Sequence, residues 1–317
     1  MMVTLVPQML GRMGKKLKIS TIKLKRKTME VLKNQFLTVT ISNRGAELQS
    51  IKDAAGHEYL WQGDPTYWGK RSPLLFPIVC GLWEETFRVD GKAYHMKRHG
   101  FASRSEFHLL SKSDDTVCYV LTSNEETLAA YPYHFALFVS YVLKDNHLSV
   151  VWNVENPNKH DLYFQIGGHP AFNIPTMREG DPLHGYLRLD NPKAGRLYGN
   201  TLGCISKGHH PLRMDGDVWE FRSEDFDDDA LIFDESQLRE VQLLDADKQP
   251  VVSLNFKSPA LGIWSPTGKN APFICIEPWY GIHDWVGFDG EFKDKYLMNK
   301  LLPGAAFMSR YEITIHQ

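Results

Sequence analysis

From Phe36 onward the apolar residues of this 317-residue chain recur at every second position, with Leu37, Val39 and Ile41 alternating with Thr38, Thr40 and Ser42. A period of two puts one set of side chains on a single face of an extended strand, so the chain is constrained to sheet with one face buried. The same pattern predicts strands over 107–113, 116–123, 135–143, 147–156, 241–245, 251–256, 261–264, 273–277 and 307–315. Lys144-Asp145-Asn146 reads as the short polar turn of a hairpin between two of them.

Helical signal is thin. Only 124–131 has a plausible cap, Asn124, followed by the acidic first turn Glu125 and Glu126. Turn pairs such as Asp90-Gly91, Asn156-Pro157 and Pro303-Gly304 recur instead. Many strands with few helices predict an all-β antiparallel sandwich, and no linker or fixed repeat divides the chain, so residues 29–317 are expected to form one domain.

Lys plus Arg (36) nearly cancels Asp plus Glu (38), which removes any whole-chain attraction to nucleic acid or an anionic membrane. A small-molecule partner is expected. The exception is residues 1–28, which carry Arg12, Lys15, Lys16, Lys18, Lys23, Lys25, Arg26 and Lys27 without an acidic residue. This stretch reads as a basic N-terminal extension outside the folded core; its apolar run 3–10 is broken by Pro7 and Gln8, too short for a membrane span. Cys80, Cys118, Cys204 and Cys275 lack CxxC spacing, so neither a zinc ribbon nor a disulfide framework is indicated and a cytoplasmic location is expected.

Two short stretches stand out chemically. In Phe273-Ile274-Cys275-Ile276-Glu277-Pro278-Trp279-Tyr280-Gly281 an apolar strand ends on a carboxylate followed by proline, with Phe273, Cys275 and Glu277 on one face. Partial burial would raise the Glu277 pKa and suit it to be a general base, whereas a strand-end Glu facing water would be inert. In Phe164-Gln165-Ile166-Gly167-Gly168-His169-Pro170-Ala171-Phe172 two glycines and a proline surround His169. A firmly held histidine there is suited to proton transfer near neutrality, and a hydrogen-bonded turn residue is the bland alternative.

Lys97-Arg98-His99-Gly100-Phe101 and Lys70-Arg71-Ser72-Pro73-Leu74-Leu75-Phe76-Pro77 offer donors for sugar hydroxyls, although either would alone pass as surface charge. One or two of Trp61, Trp68, Trp83, Trp279 and Trp285 would supply an apolar wall for a sugar's C–H face. The acid-rich segment 221–234 reads mostly as a solvated loop without a calcium-loop pattern. Gly262 through Lys269 fails the spacing of a phosphate loop, and neither GxSxG nor HExxH occurs, so no metal or nucleotide site is expected.

Taken in order, Asn43-Arg44-Gly45-Ala46-Glu47-Leu48, Arg71 with Leu75-Phe76-Pro77, His99-Gly100-Phe101, Gly168-His169-Pro170-Ala171-Phe172 and Ile276-Glu277-Pro278-Trp279 resemble the aldose 1-epimerase (galactose mutarotase-like) family, in particular its LacX-type branch. The resemblance runs from about Met29 to the C-terminus. It implies a galactose mutarotase-like β-supersandwich that interconverts the anomers of an aldohexose with no cofactor and no metal, as a monomer or homodimer. It gives Glu277 the role of base and His169 that of acid, with His99, Arg71 and an aspartate of 227–229, taken as Asp229, holding the sugar. Trp279 stands where galactose mutarotases carry glutamine, which leaves the sugar open, a hexose phosphate included. The rival expectations are a carbohydrate-binding sandwich without activity and a lyase or glycoside hydrolase on a related sandwich, for which the chain is short.

Overall fold

The computed structural model describes residues 28–178, 180–197, 200–201, 203–205, 209–212 and 214–316. The expected extension 1–28 lies, apart from Thr28, outside the described residues. The first strand is Met29–Lys33, antiparallel to Leu37–Ser42, which pairs in turn with Leu48–Asp53.

Two large antiparallel sheets make the body. One runs, by hydrogen-bonded neighbours, from Val218–Arg222 through His184–Leu189, Glu240–Leu244, Pro250–Phe256, Ala306–Ile315, His147–Glu155, Ala136–Lys144 and Thr116–Thr122 to His108–Lys112. The other runs from His209–Pro211 through Gly195–Leu197, Leu231–Phe233, Ala260–Trp264, Phe273–Tyr280 and Ile166–Gly168 to Leu74–Leu75. Alternation decides which face is buried: Leu137, Val139, Tyr141 and Leu143 point inward from one strand, Leu148, Val150, Trp152 and Val154 from its hairpin partner. They share one continuous core with Leu261, Ile263, Ile274 and Ile276 of the second sheet. Each fully buried aliphatic side chain contributes roughly 1.5–3 kcal/mol, so this core can sustain unfavourable polar burial elsewhere.

The hairpin turn closes in register, with His147 opposite Lys144, and the helix Glu125–Ala130 is capped by the Asn124 side chain accepting from the Thr127 N–H. Two expectations need correction. The strand that carries Glu277 does not stop there but runs through Pro278 and Trp279 to Tyr280, because Ala260–Trp264 pairs with it from Cys275 to Trp279 and Ile166 pairs with Tyr280. The acid-rich segment is less of a loop than its charge suggests: it holds the end of Val218–Arg222, a 3-10 turn Ser223–Phe226 anchored by buried Phe226, and the strand Leu231–Phe233.

Candidate active site

The strand Phe273–Tyr280 has two faces with different duties. Ile274 and Ile276 point into the main core, while Phe273, Cys275, Glu277 and Trp279 point the other way, as period two requires. Glu277 thus stands between two small apolar clusters, one containing Trp61, Ala171, Phe273 and Cys275, the other Leu75, Val79, Ile232 and Trp279. It is 1% exposed, which rules out the water-facing alternative. Its cross-strand neighbour is Gly262, where an added Cβ would stand 2.4 Å from the Trp279 ring, so the missing side chain is what lets the indole lie beside Glu277.

His169 is brought to Glu277 by the sheet itself. Gly167 pairs with Trp279 and Ala171 with Cys275, and the same register carried inward sets His169 opposite Glu277. Pro170, which has no N–H to give to the ladder, sits where the pairing is interrupted between Ile166–Gly168 and Ala171–Asn173. His169 Nε2 lies 3.2 Å from Glu277 Oε2, and that oxygen and His169 Nδ1 are both buried without a hydrogen-bond partner among the described residues. Beneath His169, Gly168 leaves room for Tyr311, whose ring would be 3.1 Å from a Cβ at that position.

An aromatic wall backs the histidine. Trp68 stacks on the His169 ring with centroids 4.8 Å apart, and Trp264 meets the same ring edge-on at 5.6 Å. Trp61 donates its indole N–H to the Trp68 carbonyl and stacks on Phe273. Of the expected tryptophans, Trp68 is therefore at the site with Trp61 behind it; Trp279 is in the floor, and Trp264 was not among the sequence candidates.

His99 closes another side, its ring 5.5 Å from that of His169. The Cys80 N–H donates to His99 Nδ1 at 3.2 Å, so the neutral ring carries its proton on Nε2 and is a donor there. Arg98 forms an ion pair with Asp229 at 2.6 Å. Asp227 and Asp228 are exposed whereas the Asp229 side chain is 23% exposed, which separates Asp229 from its neighbours. His99 and Asp229 both adopt left-handed backbone, φ 67° and 70°, a conformation disfavoured for residues with a Cβ and concentrated at functional sites. Arg71 is held differently: its guanidinium bonds Gln49, its N–H donates to Glu47, and its carbonyl accepts from the Ala171 N–H. The arginine paired with the site's aspartate is thus Arg98, a residue inside the predicted cluster but not assigned a role from sequence.

Burial sets the protonation states. It pushes Glu277 well above the usual carboxylate range, helped by the charge of Asp229 and opposed by Arg98. Burial, then the positive charges of Lys70 and Arg98, takes His169 down to about 3. His99 is driven well below its ordinary value by burial and by His169. Burial favours the protonated form of Asp229, but Arg98 outweighs it and holds the group below its ordinary value. Burial therefore favours the uncharged forms of both Glu277 and His169, which stand beside an ionised Arg98–Asp229 pair.

Donor atoms of His169, Cys275 and Glu277 lie within 4.8 Å of one another. A metal would require the Cys275 thiolate, and burial together with Glu277 raises that thiol well above its ordinary value. The trio is a poor cation cage. Among the described residues no helix is long and apolar enough to cross a membrane.

The chain is 32% identical over 302 residues to the plasmid-encoded protein LacX of Lactococcus lactis subsp. lactis, covering 90% of this chain and 98% of that protein. A galactose mutarotase related enzyme from Lactobacillus acidophilus has 32% identity and a TM-score of 0.84, over 91% of this chain and 97% of the other. A galactose mutarotase-like protein from Lactobacillus casei has 30% identity and a TM-score of 0.85, over 91% and 100%. The family model described as aldose 1-epimerase matches residues 28–284, and the chain belongs to that family.

Proposed function

We propose that the chain is a mutarotase that opens and recloses the pyranose ring of an aldohexose, with Glu277 and His169 moving the protons and residues 29–317 acting as one domain. The observation that carries this reading is the buried pair itself, with Nε2 and Oε2 3.2 Å apart and burial favouring a proton on Glu277 and none added to His169. Passing that proton from Glu277 to His169 gives a carboxylate and an imidazolium. The carboxylate then takes the proton of the C1 hydroxyl while the imidazolium protonates the ring oxygen, the C1–O5 bond breaks, and the open aldehyde forms. After rotation about C1–C2 the uncharged pair runs the steps backward on the other carbonyl face. The uncharged state is thus the one that the open-chain stage leaves behind, and no covalent intermediate or cofactor is needed.

In this reading His99 Nε2–H, Arg98 and Asp229 bind ring hydroxyls, Arg71 supplies a further donor, and Trp68 with Trp264 meets the C–H face. A second reading is a 6-phosphorylated aldose, for whose anionic substituent the charge of Lys70, which acts on His169, would be the partner. Polarimetry on fresh α-glucose, α-galactose and their 6-phosphates tests both. Acceleration over the spontaneous rate is expected for at least one sugar. Binding of the panel with no acceleration would instead identify a carbohydrate-binding protein without activity.

A further inference from the structure

Beside the site the chain buries an ion pair that the proton-transfer scheme does not use. Asp284 and Lys295 are 3% and 5% exposed, and the Lys295 ammonium donates to Asp284 Oδ1. A buried pair of this kind adds little net stability over packed apolar side chains, and its best-attested use is to fix one geometry. What it fixes can be followed bond by bond.

Asp284 engages all four of its polar groups. Its N–H donates to the Gly81 carbonyl at 3.0 Å, and its carbonyl accepts from the Ile205 N–H at 2.9 Å. Oδ2 accepts from the Trp83 N–H at 2.9 Å, and Oδ1 is the atom that Lys295 holds. The residue therefore grips the segment 81–83 twice, once through its backbone and once through its carboxylate. On its other side that segment lies directly against residue 203: a Cβ on Gly81 would collide with the Gly203 carbonyl, to which His283 donates from Nδ1 at 2.7 Å.

Gly81 follows Cys80, and there the chain meets His99. The His99 N–H donates to the Cys80 carbonyl at 3.0 Å, and the Cys80 N–H donates to His99 Nδ1 at 3.2 Å. Cys80 does this from left-handed backbone, φ 59°, a conformation that a residue with a Cβ keeps only where its surroundings impose it. Every link from Lys295 to the His99 ring is thus a hydrogen bond or a covalent bond.

We propose that Asp284, oriented by Lys295, is a positioning residue that holds the segment 80–83 so that the Cys80 N–H caps His99 Nδ1 and the ring presents Nε2–H to the substrate. With the clamp loosened Nδ1 loses its donor, the two neutral tautomers become comparable, and only part of the molecules offer a donor at Nε2. The inference rests on the mutarotase reading only for its kinetic consequence.

Three full-length variants test it against a merely structural role. Lys295→Met leaves the Asp284 carboxylate buried without its cation. Adding Asp284→Asn restores an uncharged clamp, since the amide oxygen still accepts from the Trp83 N–H, whereas adding Asp284→Ala removes that acceptor from an equally uncharged place. Nitrogen-15 spectra should show His99 protonated only at Nε2 in the wild type and in Lys295→Met/Asp284→Asn, and mixed tautomers in Lys295→Met and Lys295→Met/Asp284→Ala. KM should rise about tenfold in the latter two with a smaller effect on kcat, because His99 binds and does not move the proton. A wild type protonated at Nδ1 of His99 would overturn the role, as would two double variants alike in tautomer and KM. Should the alanine double variant not fold, mixed tautomers in the asparagine double variant overturn it instead. If the wild type accelerates no aldose while the tautomers follow this order, the mutarotase reading fails and the positioning role stands.

Discussion

The His169 imidazole lies nearly flat on the Trp68 indole, with centroids 4.8 Å and planes 26° apart, so the ring next to Glu277 cannot turn without losing that stack. Such a contact is worth about 0.5–1.5 kcal/mol beyond the area it buries. Trp68→Ala should therefore lower kcat/KM by about tenfold and let the His169 pKa rise from about 3 toward its ordinary value as water reaches the ring. Trp68→Phe should retain most of both. Steady-state kinetics with an NMR titration of His169 would check this, and an unchanged titration in the alanine variant would count against the stack as the constraint.

Glu277→Gln and His169→Asn should each reduce kcat by roughly 10²–10⁴ while the fold persists, since each removes one half of a proton relay. The double variant should be scarcely worse than either single one, because half a relay transfers nothing. Glu277→Gln should not destabilise the protein, as it removes a buried acid. Thermal unfolding alongside kcat measures all of these outcomes.

Stability should fall in mild acid. His169 and His283 sit at about 3 and about 4 in the folded protein, below their unfolded values near 6.5. Below about pH 6.5 the unfolded chain gains protons that the folded one refuses, so the stabilisation present above that pH is lost as pH falls toward these folded values. Each group contributes a slope of at most about 1.4 kcal/mol per pH unit. Urea unfolding at pH 7, 5.5 and 4 should show the decline, and a shallower one in His283→Gln.

Activity should respond to pH on the other side. Glu277 loses its proton only above its raised pKa, so the alkaline limb of kcat/KM should lie above the normal carboxylate range. Arg98→Ala removes a charge that lowers Glu277, and should move that limb to still higher pH while raising KM. A limb that does not move in Arg98→Ala would assign it to another group.

Gly262→Ala forces a methyl against the Trp279 ring at 2.4 Å. Overpacking of this kind costs about 1–3 kcal/mol, and here the displaced indole adjoins Glu277, so stability and kcat should fall together. A variant with full stability and full activity would show that the indole moves freely.

Much of this was legible along the chain because local pattern and tertiary role coincide. The alternation Phe273, Cys275, Glu277 marks a face, and Gly-Gly-His-Pro marks a strand interrupted at a histidine; both are short-range signals that the sheet preserves. What could not be read depends on chain segments meeting across long separations. Arg98 finds Asp229 through loops 131 positions apart, and nothing in Lys97-Arg98-His99 distinguishes that guanidinium from surface charge. Trp264 reaches His169 only because Ala260–Trp264 lies beside Phe273–Tyr280, and His283 acquires its tautomer from Gly203, 80 positions away. Strands of two or three residues, such as Leu74–Leu75 and Ile166–Gly168, are too short for any period to appear.

Glu277 stands within a strand, and His169 faces it from the two-residue break between two strand segments that both pair with that strand, not from the tip of a loop. Their spacing is therefore inherited from the sheet, which neither insertions nor exchanges in the surrounding loops can easily alter. The segments bearing Trp68, Arg98, His99 and Asp229 are free of that duty. On the proposed mutarotase reading, the strands would hold the proton transfer and the loops the recognition, so that a change of sugar would be reached by rewriting loops.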